Sequence, residues 1–184
     1  MKYAVLFKGI NVGGKNVVKM KDLKQLFLEL GMDRAETYIQ SGNAVVETAL
    51  EETALREMVQ TGFAGRFGFE RDVFIRSEDE IRALIGRLPF SEEEIAAAEA
   101  ADPQVEHLYV YFLGNPPEQS QLEGIYKGYI GPDMLRAGER ELYFLSPQSI
   151  RKSKLVTRID RPFHSATARN WKTVNKLYEM LSSL

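Results

Sequence analysis

Two hydrophobic periods alternate along this chain, and each switch between them marks an element. Tyr3 to Phe7 is a continuous apolar run, the pattern of a buried strand. Met20, Leu23, Leu26, Phe27 and Leu30 then recur at three- and four-residue spacing. That spacing predicts an amphipathic helix, which Gly31 is placed to end. Thr37-Tyr-Ile-Gln40 and Ala44-Val-Val-Glu47 read as strands joined at Ser41-Gly42-Asn43, a tight-turn composition. Leu55, Met58, Val59 and Phe63 lie in register for a second helix, and Asp72-Val-Phe-Ile-Arg76 reads as a further strand. The order is βαββαβ, the split βαβ pattern of a ferredoxin-like half.

Two short helices follow, each opened by a Ser and a Glu three residues on that can satisfy each other's backbone donors. The pairs are Ser77 with Glu80 and Ser91 with Glu94. Pro89 and Pro103 punctuate this acidic stretch. Leu108 to Leu113 begins a second cycle, with a helix at Gln119–Ile125 and a hairpin of Tyr129–Arg136 and Glu141–Leu145 turning at Ala137-Gly138. A short helix is expected near Ser149–Leu155. Asn170 is suited to cap the terminal helix, in which Trp171, Val174, Tyr178 and Leu181 share a face. The expected class is α+β: a ferredoxin-like half over 1–76, a helical acidic connector over 77–104, and a second, related α+β half over 105–184.

Composition removes several chemistries. The sequence of 184 residues has no cysteine, which excludes disulfides, thiolate catalysis and iron–sulfur clusters. Only two histidines, His107 and His164, are present, so a histidine-rich metal site is excluded and no metal or other cofactor is expected. No apolar run approaches the ~20 residues of a membrane span. The apolar run at the N-terminus breaks early and lacks a small-residue cleavage site, so a cytoplasmic protein without membrane association is expected. Net charge is only −2, but it is unevenly spread. Residues 1–46 hold seven Lys/Arg against four acids, residues 47–106 six against fifteen, and residues 151–184 eight against two. Two basic ends thus flank an acidic middle.

Gly9-Ile-Asn-Val-Gly-Gly-Lys-Asn16 follows a strand and fits the phosphate-loop pattern G-x-x-x-x-G-K until Asn16 stands where Ser or Thr would hold magnesium. The helical pattern starts only near Met20, and the element order implies antiparallel neighbours. Both argue against a nucleotide triphosphatase. Two readings remain: a glycine-permitted turn, and a concavity of backbone N–H groups that receives an anion.

Several runs together carry a family resemblance: Lys8-Gly-Ile-Asn-Val-Gly-Gly14, Met20, Thr37-Tyr-Ile-Gln-Ser-Gly-Asn43, Ser153-Lys-Leu155 and Ala166-Thr-Ala-Arg-Asn-Trp-Lys-Thr173. The chain resembles the bacterial family called domain of unknown function 1697 over nearly its whole length. The resemblance implies a two-part α+β fold of ferredoxin-like topology in a family without an established activity. Lys8 stands where the family often has Arg, which keeps the charge but not the bidentate fork. Lys19 stands where proline is frequent.

The side chains name no reaction. Ser41 and Ser165 lie in no nucleophile elbow, and His164, adjacent to Ser165, is poorly placed as its base. His107 reads as part of a surface aromatic ladder with Tyr109 and Tyr111. The acidic triplets Glu78–Glu80 and Glu92–Glu94 suit helix N-termini, and Trp171 reads as a core residue. The leading candidate is a site for a small anionic ligand, a nucleotide or phosphometabolite. It would lie in a cleft between the glycine loop (Lys8, Asn11, Gly13, Gly14) and the start of the terminal helix (Arg169, Asn170), with Lys154 nearby. The alternative is a nucleic-acid-binding or protein-interaction module without catalysis. Arg66-Phe-Gly-Phe69 is similar to an RNA-recognition signature but precedes the wrong strand, and the acidic middle would repel phosphates, so nucleic acid is a disfavoured partner.

Overall fold

The computed structural model describes residues 1–184. The chain forms two compact units, Met1–Ile85 with Asn175–Leu184, and Gly86–Val174.

The first unit runs β1 (Lys2–Phe7), α1 (Met20–Glu29), β2 (Arg34–Tyr38), β3 (Asn43–Glu47), α2 (Glu52–Phe67), β4 (Val73–Ser77) and α3 (Glu78–Gly86). Its sheet has the order β2-β3-β1-β4 with every pair antiparallel. This is the βαββαβ arrangement expected from the hydrophobic pattern. Tyr3, Val5 and Phe7 of β1 join a core with Leu23, Phe27, Leu55, Val59 and Phe63 from α1 and α2. Phe7 sits 4.9 Å from the Phe63 ring centroid and 6.3 Å from that of Phe27. Ala4 and Leu6, on the other face of β1, are equally buried. A strand buried on both faces loses its period-two alternation, which is why Tyr3–Phe7 reads as one unbroken apolar run.

The β2–β3 hairpin differs from the sequence expectation. β2 starts three residues earlier than Thr37 because Ala35, not Ile39, packs into the core. Ile39 instead lies in the turn with φ 47° and is 49% exposed, and Gly42 follows with φ 79°. Ser77 with Glu80 forms the expected reciprocal cap at the start of α3.

The second unit runs α4 (Glu92–Ala101), β5 (Leu108–Phe112), α5 (Gln119–Tyr126), β6 (Met134–Ala137), β7 (Glu141–Leu145), a 3₁₀ turn at Ile150–Lys152, α6 (Lys154–Asp160) and β8 (Thr167–Asn170). Its antiparallel sheet has the order β6-β7-β5-β8, so the second cycle repeats the topology of the first. Tyr111, Leu142 and Phe144 pack against Ile125, Leu155, Ile159 and Phe163. The Ser91–Glu94 capping box opens α4.

β8 and His107 differ from the sequence expectation. β8 is a strand where a polar leader to the terminal helix was expected; the run Thr167-Ala-Arg-Asn170 pairs with β5 from Phe112 back to Tyr109. Within the stretch 77–104, Glu78–Ile85 belongs to the first unit and α4 to the second. His107 is no surface residue. It is 5% exposed, with Nδ1 2.6 Å from the Ser146 carbonyl oxygen and Nε2 2.8 Å from that of Asp102, so it staples the start of β5. The last helix, α7 (Trp171–Ser183), carries the chain from the second unit into the first. No helix is long and apolar enough to cross a membrane.

Candidate functional site

β1 ends at Phe7, and the backbone N–H of Lys8 donates to the Asp72 carbonyl at 3.0 Å. The glycine loop that follows is a small hairpin. Val12 pairs with Lys15, whose N–H donates to the Val12 carbonyl at 3.1 Å. Gly13 (φ 58°) and Gly14 (φ 72°) form the two-residue connection, with the positive φ at both central positions that such a turn needs. Asn11 anchors it. Its Nδ2 donates to the carbonyls of Val18 (2.9 Å) and Gln40 (2.7 Å), and its Oδ1 accepts from Val18 N–H at 2.7 Å. Both ends of the Asn11 amide are thus engaged with backbone. α1 starts at Met20, beyond the loop, and the sheet is antiparallel, so a phosphate-loop arrangement is absent.

Beside this loop the first unit contains a cavity of about 830 Å³. Lys8 and Gly9 enter it from the end of β1, Gln60, Thr61 and Ala64 from α2, and Glu70, Arg71 and Asp72 from the approach to β4. The chain reaches this geometry because α2 stops at Gly68 in the left-handed conformation (φ 77°) and turns the 69–72 segment back toward the start of the loop. Arg71 is held at the rim. Its guanidinium lies 4.7 Å from the Phe69 ring centroid and donates to the carbonyls of Glu70 (2.6 Å) and Gly9 (3.4 Å). The cavity therefore offers two cations, two carboxylates, an amide and a hydroxyl. Its volume is that of a small-molecule site.

Of the remaining sequence-selected residues, Arg169, Asn170, Lys154 and Trp171 lie in the second unit and Ser41 in the first. Arg169 points inward from β8, is 7% exposed, and donates to Thr167 Oγ1 and the Ala168 carbonyl, both at 2.8 Å. Burial lowers its pKa to about 10. Asn170 caps α7, its Oδ1 accepting from Thr173 N–H at 2.9 Å. Lys154 is exposed at the first position of α6. Ser41 accepts from Asn43 Nδ2 at 2.8 Å within the β2–β3 turn. Trp171 is half-buried rather than fully in the core.

The family model for proteins of unknown function named DUF1697 matches residues 1–143. The chain belongs to the DUF1697 family. Among solved structures, a conserved bacterial protein from Streptococcus pneumoniae is similar over 98% of each chain, with 26% identity and a TM-score of 0.75. No curated protein matches.

Two features of this DUF1697 chain escape sequence reasoning. Arg71 is embedded between Glu70 and Asp72 and reads there as one charge of a solvated segment. Its only signal is the preceding Phe69, a platform on which a guanidinium can rest. The second is Asp133, 4% exposed, which accepts from Ser146 Oγ, from Ser153 Oγ and Tyr129 OH (each 2.7 Å), and from Gln148 Nε2 (3.4 Å). Ser153 also accepts from Leu155 N–H and Val156 N–H at the start of α6. This network joins β6, β7 and α6 and is structural. No group of three or more His, Asp or Glu side chains is arranged to hold a metal ion.

Proposed function

We propose that this protein binds a small anionic ligand in the cavity beside the glycine loop, with Lys8 and Arg71 receiving the anion. The observation that carries this is the meeting of Lys8 with Arg71, whose guanidinium is already oriented by Phe69 and two carbonyls. A pre-oriented guanidinium loses little freedom on binding, which favours a bidentate contact with carboxylate or phosphate. Gln60 and Thr61 supply neutral hydrogen bonds to the rest of the ligand. Glu70 and Asp72 select against a bare polyanion and favour a molecule that also offers hydroxyl or amine donors, such as a sugar phosphate or an amino acid derivative. Of the glycine loop only Gly9 lines this cavity beside Lys8; Asn11, Gly13 and Gly14 shape the hairpin that follows, and the anion contact is left to side chains. In this reading Arg169, Asn170 and Lys154 serve the second unit's own structure.

The test is a thermal-shift screen of phosphorylated and carboxylated metabolites on the wild-type chain, Lys8→Ala and Arg71→Ala. Compounds that stabilise the wild type and neither variant support the reading. Equal stabilisation of all three chains contradicts it.

One observation favours a second reading, a protein-interaction module. Val12 (65% exposed), Val17 (66%) and Ile39 (49%) stand on segments that Asn11 ties together. Apolar side chains this exposed, on a rigid loop, suit a partner surface. A nucleic-acid surface is disfavoured, because aromatic residues of the central strands, such as Phe7, Phe112 and Tyr143, are buried rather than available for stacking.

A further inference from the structure

The second unit contains a separate cavity of about 510 Å³ at the C-terminal ends of α5 and α6. Its walls include Gln121, Ile125, Lys127, Arg158, Arg161 and Pro162. Three of these side chains are cationic and none is acidic, in a chain whose 26 acids outnumber its 24 bases. Arg158 has a structural task. It donates to the carbonyls of Ile125 (3.1 Å), Lys127 (2.7 Å) and Gly128 (3.4 Å), which closes the end of α5, and it lies 5.7 Å from the Tyr129 ring centroid. It is therefore a fixed charge at the base of the cavity.

Lys127 and Arg161 have no such task. Both side chains are exposed, and the acid nearest to Lys127 along the chain, Glu123, accepts from Gln119 at 3.1 Å. Three positive charges around one hollow create a positive potential that favours an anion among them. Ile125, which is 2% exposed and part of the core, and Pro162 give the hollow an apolar wall. A single carboxylate would leave most of this charge unmatched, whereas a phosphate ester or diphosphate carries two or more negative charges and enough oxygens for several N–H donors.

We propose that this cavity binds the phosphate groups of a small phosphorylated molecule, with Lys127 and Arg161 closing on the anion above the fixed guanidinium of Arg158. The organic portion lies against Ile125 and Pro162, and Gln121 offers it an amide. The proposal is independent of the Lys8 cavity, which lies in the other unit and has a balanced charge.

The test is a titration of the full-length protein with inorganic pyrophosphate, followed by amide resonances, with Gly124 and Gly128 as local reporters and Gly9 as the reporter of the other cavity. Saturable shifts at Gly124 and Gly128 are expected. At these two reporters the Lys127→Ala/Arg161→Ala double variant should bind roughly tenfold or more weakly, as expected for lost charge-assisted hydrogen bonds. Both substituted side chains of the double variant are exposed, so its fold is retained, and an unchanged spectrum away from the site checks this. The proposal is overturned by an absence of saturable shifts at Gly124 and Gly128, or by shifts there that persist with unchanged affinity in the double variant.

Discussion

Asn11 binds Gln40 across 29 residues of sequence, its Nδ2 donating to the Gln40 carbonyl at 2.7 Å, and so ties the glycine hairpin to the β2–β3 turn. The same side chain also bridges both backbone groups of Val18. Truncation removes all three bonds and leaves a non-glycine residue with φ 56°. Asn11→Ala should lower stability by about 1–3 kcal/mol, measured by urea denaturation. Amide exchange at Val18, whose N–H loses its acceptor, should accelerate.

Two glycines with similar φ should respond differently to alanine. At Gly13 (φ 58°) a new Cβ would meet nothing within 4 Å, so only the left-handed backbone penalty applies, about 1–2 kcal/mol. At Gly42 (φ 79°) it would lie 2.7 Å from Ile10 Cδ1 and 3.0 Å from Phe7 Cβ. Overpacking of this kind adds about 1–3 kcal/mol. Denaturant midpoints of Gly13→Ala and Gly42→Ala should therefore be ordered wild type, Gly13→Ala, Gly42→Ala. Equal midpoints for the two variants would contradict the packing around Gly42.

Asp133 should contribute to acid sensitivity. Burial alone raises its pKa, but the hydrogen bonds from Ser146, Ser153, Tyr129 and Gln148 outweigh this and hold the carboxyl below its ordinary 3.8. A carboxyl whose pKa is depressed in the folded state adds stability above its unfolded pKa and loses it as pH falls through the folded value. The wild type should accordingly lose stability as pH drops below about 4. Asp133→Asn should be less stable at neutral pH, by about 1–3 kcal/mol, and show a shallower acid decline. Chemical denaturation at a series of pH values measures both.

Much of the fold was legible because its central strands are apolar without interruption and its helices have clear faces. Tyr3–Phe7, Leu108–Phe112 and the Leu23/Phe27 face all fall where the periodicity places them. β8 was hidden because Thr-Ala-Arg-Asn is short and polar, and its strand character comes from pairing with β5 rather than from its own propensity. The β2 register was displaced because Ile39 looks like a core residue but lies exposed in the turn, with Ala35 filling the core position instead. At the candidate site, Lys8 and the glycine turn were visible as a motif. Arg71 was not, since its position depends on where α2 ends and how the 69–72 segment returns to Gly9. Asp133 was likewise invisible, because its partners Tyr129, Ser146 and Ser153 converge only after β6, β7 and α6 are assembled.

The most direct test of the central claim is calorimetric titration of the strongest anionic hit into wild type, Lys8→Ala and Arg71→Ala, with thermal unfolding of each chain alone as the control. Each substitution removes a charge-assisted contact, so the dissociation constant should rise by roughly tenfold or more in both variants, while their unfolding midpoints stay near that of the wild type. Unchanged affinity in both variants, or no anionic compound binding the wild type at all, would contradict the assignment of this cavity as a ligand site.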